Sequence, residues 1–77
     1  MRVTIMATGH NGPDDGRPYT ANVTSLRGAK IVATRQASGD RCYITIYNHN
    51  GRELAYRRAF DTYAGCAHGG WWPWVNI

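Results

Sequence analysis

Residues 41–48 read RCYITIYN, and they form the most regular pattern in the chain. Their side chains alternate between an apolar set and a second set: Cys42, Ile44 and Ile46 against Arg41, Tyr43, Thr45 and Tyr47. Because successive side chains of a β-strand point to opposite faces, this alternation predicts a strand with one apolar face. The Asn50-Gly51 pair shortly beyond it is a strong hairpin signal and predicts that the chain returns as a second strand.

The segment that follows the turn, residues 52–60, fits two patterns. As a strand, it places Tyr56 and Phe60 on one side; as a helix, it would begin an apolar stripe that runs from Tyr56 to Ala64. We favour a strand to Phe60 followed by a short helix from Asp61, because Asn-Gly directly after so regular a strand predicts a return strand.

Three further strands are predicted upstream. Residues 2–8, RVTIMAT, and residues 19–26, YTANVTSL, both alternate, and a loop rich in glycine and proline joins them. Residues 29–36, AKIVATRQ, are predicted as a third strand after a tight reversal at Arg27-Gly28. The chain is therefore expected to be α+β, an antiparallel meander sheet of four to five strands with one short C-terminal helix; an all-β small barrel is the alternative.

The length of 77 residues predicts one domain, residues 1–77, with a small core. A chain this short buries only about 60% of the surface that its unfolded form exposes. Leucine occurs only at Leu26 and Leu54, so the core must come from valine, isoleucine, alanine and aromatic side chains.

The charge is basic, with a formal net value of +4 from nine basic residues, of which all but Lys30 are arginines. The planar guanidinium suits phosphates, carboxylates and aromatic faces, so this bias indicates recognition. No stretch approaches the about 20 apolar residues of a membrane span, and the N-terminus lacks the apolar centre of a signal peptide. We expect a cytoplasmic protein with no membrane partner, in which Cys42 and Cys66 are reduced thiols.

The sequence offers little for catalysis. Ser25 and Ser38 do not lie in a nucleophile motif, and no glycine-rich phosphate loop occurs. Cys66 and His68 are closer together than the ligand pairs of structural zinc sites. We expect neither an enzyme nor a cofactor; a small metal-binding protein that uses Cys42, Cys66 and His68 is kept as an alternative.

The interleaving of tyrosine and arginine is the most suggestive feature. If the strands on either side of the Asn-Gly turn pair, one face carries Arg41, Tyr43, Tyr56 and Arg58. Exposed, this face would be a stacking platform for single-stranded nucleic acid. We favour the other interpretation, in which it is the core and the C-terminal tail covers it, because so small a domain can scarcely leave it uncovered.

The tail, GGWWPWVNI, holds all three tryptophans in its last seven residues. Pro73 cannot lie inside a central strand or a helix, so we predict an edge strand or an extended wrap. Alternation would turn either Trp72 and Trp74 or Trp71 and Val75 inward, and the remaining rings would be candidates for a protein contact. No lysine or arginine accompanies the tryptophans, which argues against a membrane anchor.

In size and composition, the chain resembles the small inhibitor proteins that phages and mobile elements encode, anti-CRISPR proteins among them. That resemblance implies a non-catalytic inhibitor or adaptor that docks on a protein of a nucleic-acid-handling complex. Its basic charge argues against mimicry of a nucleic-acid duplex. Direct binding of single-stranded nucleic acid is the second hypothesis, and the oligomeric state stays open. The predicted partner-binding residues are Arg41, Tyr43, Arg57, Arg58, Trp71, Trp72 and Trp74.

Overall fold

The computed structural model describes residues 1–9, 18–37, 41–59 and 70–77. These residues form five strands and one helix: β1 (Arg2–Gly9), β2 (Tyr19–Asn22), α1 (Leu26–Gln36), β3 (Arg41–Asn48), β4 (Glu53–Arg58) and β5 (Val75–Asn76). The strands make one antiparallel sheet in the order β2-β1-β3-β4-β5. The predicted α+β class is therefore confirmed, and the sheet has five strands, within the predicted four to five.

The β3–β4 hairpin forms where the Asn-Gly signal places it. The Asn48 side-chain oxygen accepts hydrogen bonds from the backbone N–H groups of Asn50 and Arg52, each at 2.9 Å. Gly51 takes a φ of 85°, a left-handed conformation that glycine adopts without steric cost. The prediction of a return strand is confirmed, and the helical alternative is wrong for residues 53–58. The predicted strand end at Phe60 and the helix from Asp61 lie outside the described residues.

The third predicted strand is wrong, because residues 26–36 form the helix α1. Ser25 caps its N-terminus, and the Ser25 hydroxyl oxygen accepts a hydrogen bond from the Gly28 N–H at 3.2 Å. Gly28, interpreted above as part of a reversal, lies within the first turn of the helix. The helix packs against β1 and β3 through Ala29 and Ala33, one turn apart and fully buried. This tertiary packing outweighs the strand propensity of the β-branched residues nearby.

The position of the helix changes the topology. The described helix lies in the middle of the chain, between β2 and β3, and not at the C-terminal end where we predicted it. Because β2 and β3 lie on opposite sides of β1, the connection through α1 crosses over β1, so only β3, β4 and β5 follow one another as a meander. The small-barrel alternative is wrong, since β2 and β5 are the two edges of an open sheet.

The core lies on one face of the sheet, between it and α1. Its large, fully buried side chains are Val3, Ile5, Ile44 and Ile46. The predicted inward faces of β1 and β3 are thus confirmed for these residues. Small alanines on α1 let the helix approach the sheet closely, so a few β-branched residues fill the layer between them.

Candidate binding surfaces

The outer face of the sheet, which points away from α1, presents tyrosines. Tyr43 pairs with Arg58, and Thr45 pairs with Tyr56, across β3 and β4. Directly opposed residues in an antiparallel pair have side chains on the same face, and Val75 joins them through its pairing with Tyr56. We call Tyr43, Thr45, Tyr56, Arg58 and Val75 the tyrosine face.

The tyrosine face is not the core. Tyr43 is 47% exposed and Tyr56 42% exposed, so the prediction that the tail covers this face is wrong. The physical reason is that α1 seals the opposite face, where Ile44 and Ile46 already supply a sufficient apolar layer. Arg41, predicted to share the tyrosine face, begins β3 opposite Gly9, and its side chain lies outside the described residues.

Mostly neutral side chains continue the outer face onto β1. Thr4, Met6 and Thr8 lie opposite Tyr47, Thr45 and Tyr43, respectively. All three β1 residues are half-buried. The centre of the outer face is therefore an amphipathic surface of hydroxyl groups and aromatic rings, in which Arg58 is the cation among the tyrosine-face residues.

Arg57 points to the opposite side from Arg58 and holds the C-terminal segment in place. Its Nε donates to the Trp72 carbonyl oxygen at 2.9 Å, and a terminal nitrogen donates to the Thr34 hydroxyl of α1 at 3.0 Å. The guanidinium also lies over the rings of Trp71 and Trp74, at 5.6 and 5.1 Å from their centroids, within the range of cation–π attraction. We call Arg57, Trp71 and Trp74 the tryptophan clamp.

Partial burial in the clamp lowers the pKa of Arg57 from its usual value. Arginine nevertheless stays protonated in proteins, because its unperturbed pKa is so high. The clamp therefore keeps a permanent positive charge between two indole rings. Arg57, predicted as a partner-binding residue, has a structural role that the sequence did not reveal.

The tail packs with a spacing that strand alternation does not produce. Trp71 and Trp74 are half-buried and contact the core, while Trp72 is 49% exposed and Pro73 is exposed. Neither predicted inward pair, Trp72 with Trp74 or Trp71 with Val75, is found, because one member of each pair, Trp71 and Trp74, packs inward. Alternation requires a continuous strand, and here β-pairing is limited to the Ala59–Trp71 bridge and to β5, with Pro73 between them. The predicted edge strand is confirmed for residues 75–76.

Trp72 extends the tyrosine face around the sheet edge. An open depression of about 570 Å³ lies between the tail and β4. Its lining combines Tyr56, Arg58 and Val75 of the tyrosine face with Arg57 and with Trp72, Pro73 and Trp74 of the tail. The exposed indole and the exposed tyrosine can therefore contact one and the same ligand.

A second open groove, of about 410 Å³, lies on the helix side of the sheet and is called the basic groove. Its lining residues are Arg27, Lys30, Ile31, Thr34, Arg35, Arg57 and Trp74. Lys30 lies 5.9 Å from the Trp74 ring centroid, and its ammonium donates to the Asn76 side-chain oxygen at 2.5 Å. Sequence interpretation missed this groove, although Arg27, Ile31 and Arg35 have the spacing of one helix face.

The described residues hold no cluster of metal-ligating side chains. No group of three or more histidine, cysteine, aspartate or glutamate side chains comes together in them. Ser25 serves as a helix cap, and His49 is exposed in the β3–β4 turn. Cys66, His68 and the side chain of Cys42 lie outside the described residues, so the metal site stays a prediction.

One buried polar atom has no partner within the described part of the chain. The Tyr19 hydroxyl is shielded from solvent and makes no hydrogen bond there. Burial raises the pKa of Tyr19, so the hydroxyl remains protonated at neutral pH.

Across the described ranges, α1 is too short and too polar to cross a bilayer. No protein-family model matches the chain, and searches of curated proteins and of solved structures found no similar protein.

Proposed function

We propose that this protein is a non-catalytic inhibitor or adaptor that docks on a protein partner through the tyrosine face and the adjoining Trp72. One observation carries the proposal: α1 covers one face of the sheet, while Tyr43 and Tyr56 are exposed on the other. The resemblance in size and composition to anti-CRISPR proteins makes a subunit of a nucleic-acid-handling complex in a bacterial cytoplasm the proposed target.

The chemistry of the tyrosine face suits a protein interface. Tyrosine, tryptophan and arginine dominate the residues that contribute most to binding, and here Tyr56, Arg58 and Trp72 line one depression. Tyrosines on a paired strand lose little conformational freedom when they are covered, so more of the contact free energy contributes to affinity. A partner that buries both rings can also accept hydrogen bonds from their hydroxyl groups.

The charge of this face favours a protein over a nucleic acid. Nucleic-acid affinity comes mainly from contacts between cations and phosphates. Arg58 is the cation of the tyrosine face, and Arg57, which also lines the adjoining depression, already donates to the Trp72 carbonyl and to Thr34. Stacking of bases on Tyr43 and Tyr56 remains the second candidate function, because both rings are exposed. That function requires affinity that falls steeply with salt.

The test is a pull-down of tagged protein from a bacterial lysate at two salt concentrations, with and without nuclease. We expect one protein in stoichiometric amount that survives nuclease and salt, and that is lost with Tyr43→Ala/Tyr56→Ala. The control is Gln36→Ala, an exposed position at the end of α1 on the opposite side of the sheet, which should capture the partner normally. Loss of all bound material on nuclease treatment would establish the nucleic-acid function instead. Equal capture by the double variant would exclude this face.

A further inference from the structure

The geometry of the basic groove points to a second contact: we infer that it binds an acidic peptide segment with an apolar side chain among its carboxylates. This inference rests on the proposed function, in which the partner is a protein, and specifies the chemistry of that partner. The groove shares Arg57 and Trp74 with the depression beside Trp72, but Arg27, Ile31 and Arg35 line the groove and not that depression. Variants of these α1 residues therefore separate the two contacts experimentally.

Four cations converge on the groove. Arg27, Lys30 and Arg35 come from α1, and Arg57 comes from β4. No carboxylate is among the described residues that line it, and of the five acidic residues of the chain only Glu53 belongs to the described part. Like charges held close together repel one another, and a bound anion relieves that repulsion. The groove therefore favours an anionic ligand.

Part of this charge is already fixed in position. Arg57 uses two of its five N–H donors on Thr34 and on the Trp72 carbonyl, and it is held over two indole rings. Lys30 is oriented by Asn76 and lies over the same Trp74 ring. An anion that binds here does not need to order these two side chains, which lowers the entropic cost of binding.

An exposed apolar residue lies among the cations. Ile31 is 48% exposed and is separated by one helical turn from Arg27 on one side and from Arg35 on the other. A ligand that fits this pattern places an apolar side chain on Ile31 and carboxylates on the flanking arginines. The volume of about 410 Å³ is within the range of about 300–1,000 Å³ typical of ligand sites.

The same features favour a peptide over a nucleic acid. Arg57 and Lys30 both lie within cation–π range of the Trp74 ring, so a base that stacks there competes with two cations for the ring. Ile31 offers no contact that suits a phosphate, whereas it suits a leucine or isoleucine of a peptide. A glutamate-rich segment with one such residue satisfies both parts of the groove.

The probe is a fluorescent synthetic peptide with a central leucine flanked by two glutamates on each side. Its Kd for the full chain is measured by fluorescence anisotropy. Arg27→Ala/Arg35→Ala is the test variant, and Arg2→Ala/Arg52→Ala is a control of equal net charge, because neither of its positions lines the groove. We expect the test variant to bind about ten-fold more weakly, since exposed ion pairs each contribute up to about a factor of five. The control should change affinity less than about two-fold.

Three results would overturn the inference: no binding of the peptide, equal loss in both variants, or tighter binding of oligothymidine than of the peptide. Replacing the peptide glutamates by glutamine should abolish binding, and replacing its leucine by serine should weaken it. Tyr43→Ala/Tyr56→Ala should bind the peptide normally. Peptide binding without partner capture on the tyrosine face would therefore contradict the proposed function alone, and the reverse result would contradict this inference alone.

Discussion

The two faces of the sheet come from the same strands, yet they differ in what they bury. The centre of the covered face is aliphatic, with Ile44 and Ile46 sealed beneath α1, whereas the outer face exposes Tyr43 and Tyr56. Aliphatic side chains carry no polar atom, so their burial leaves no hydroxyl group without a partner. The comparison shows that a few β-branched residues close most of the core of this small domain, with Tyr19 packed at its border, and that Tyr43 and Tyr56 remain available for contacts.

The largest effect should come from alanine substitutions at two adjacent residues of β3, one on each face of the sheet. We expect Ile44→Ala to lower the free energy of unfolding by about 2–5 kcal/mol, because it removes a fully buried side chain and leaves a cavity. Tyr43→Ala, one residue away, should cost less than about 1 kcal/mol, mainly through lost strand propensity. Urea denaturation measures both. A loss for Tyr43→Ala as large as that for Ile44→Ala would mean that the tyrosine face belongs to the core.

The adjacent arginines of β4 make the same comparison with a smaller effect. Arg57→Ala should destabilise the fold by about 1–2 kcal/mol, because two charge-assisted hydrogen bonds and the contacts to Trp71 and Trp74 disappear. Arg58→Ala should change stability by less than about 0.5 kcal/mol and weaken partner binding instead.

Arg57→Lys is the matched control for the clamp. It keeps the charge but lacks the planar fork that reaches Thr34 and Trp72 together, so we expect most of the stability loss to remain. Full stability of Arg57→Lys would show that charge alone, and not the fork geometry, holds the C-terminal segment.

An effect smaller than that of Arg57→Ala concerns the helix that covers the inner face. Gly28 lies in the first turn of α1, and a Cβ atom built on it would meet the Ser25 Oγ and the Val23 Cβ at 3.7 Å, an ordinary contact distance. We therefore expect Gly28→Ala to raise the free energy of unfolding by about 0.5–1 kcal/mol. Gly51→Ala is the contrasting variant, since its φ of 85° should make the same change destabilising. A lower melting temperature for Gly28→Ala than for the unsubstituted chain would contradict this account of the helix start.

Local patterns predicted most of the sheet. The alternation in β1 and β3 and the Asn50-Gly51 turn act over a few residues, so the sequence alone is sufficient to place them. The strand prediction for residues 29–36 is wrong because the preference of Ile31 and Val32 for strands and of Gly28 for turns is weaker than the packing of α1 on the sheet. The signal that was overlooked is Ser25 as an N-cap ahead of alanines at helical spacing, Ala29 and Ala33.

The candidate surfaces depended on contacts distant in sequence. Which sheet face is exposed is decided by where α1 packs, and the mistaken strand assignment removed the element that seals the core. The spacing of Trp71 and Trp74 follows from their shared contact with Arg57, which is not a local property. Tyr43, Arg58 and Trp72 are exposed, although we favoured a buried position for the first two, and their role as partner-binding residues stays a prediction from aromatic and arginine composition.

The central claim is that one face of the sheet folds the protein and the other binds a partner. Its most direct test measures, for Tyr43→Ala/Tyr56→Ala, both the Kd for the captured partner and the free energy of unfolding. We expect affinity to fall by at least about ten-fold, as for interface hot spots, while stability falls by less than about 2 kcal/mol. Unchanged affinity together with a large loss of stability would contradict the claim and assign the tyrosines to the core.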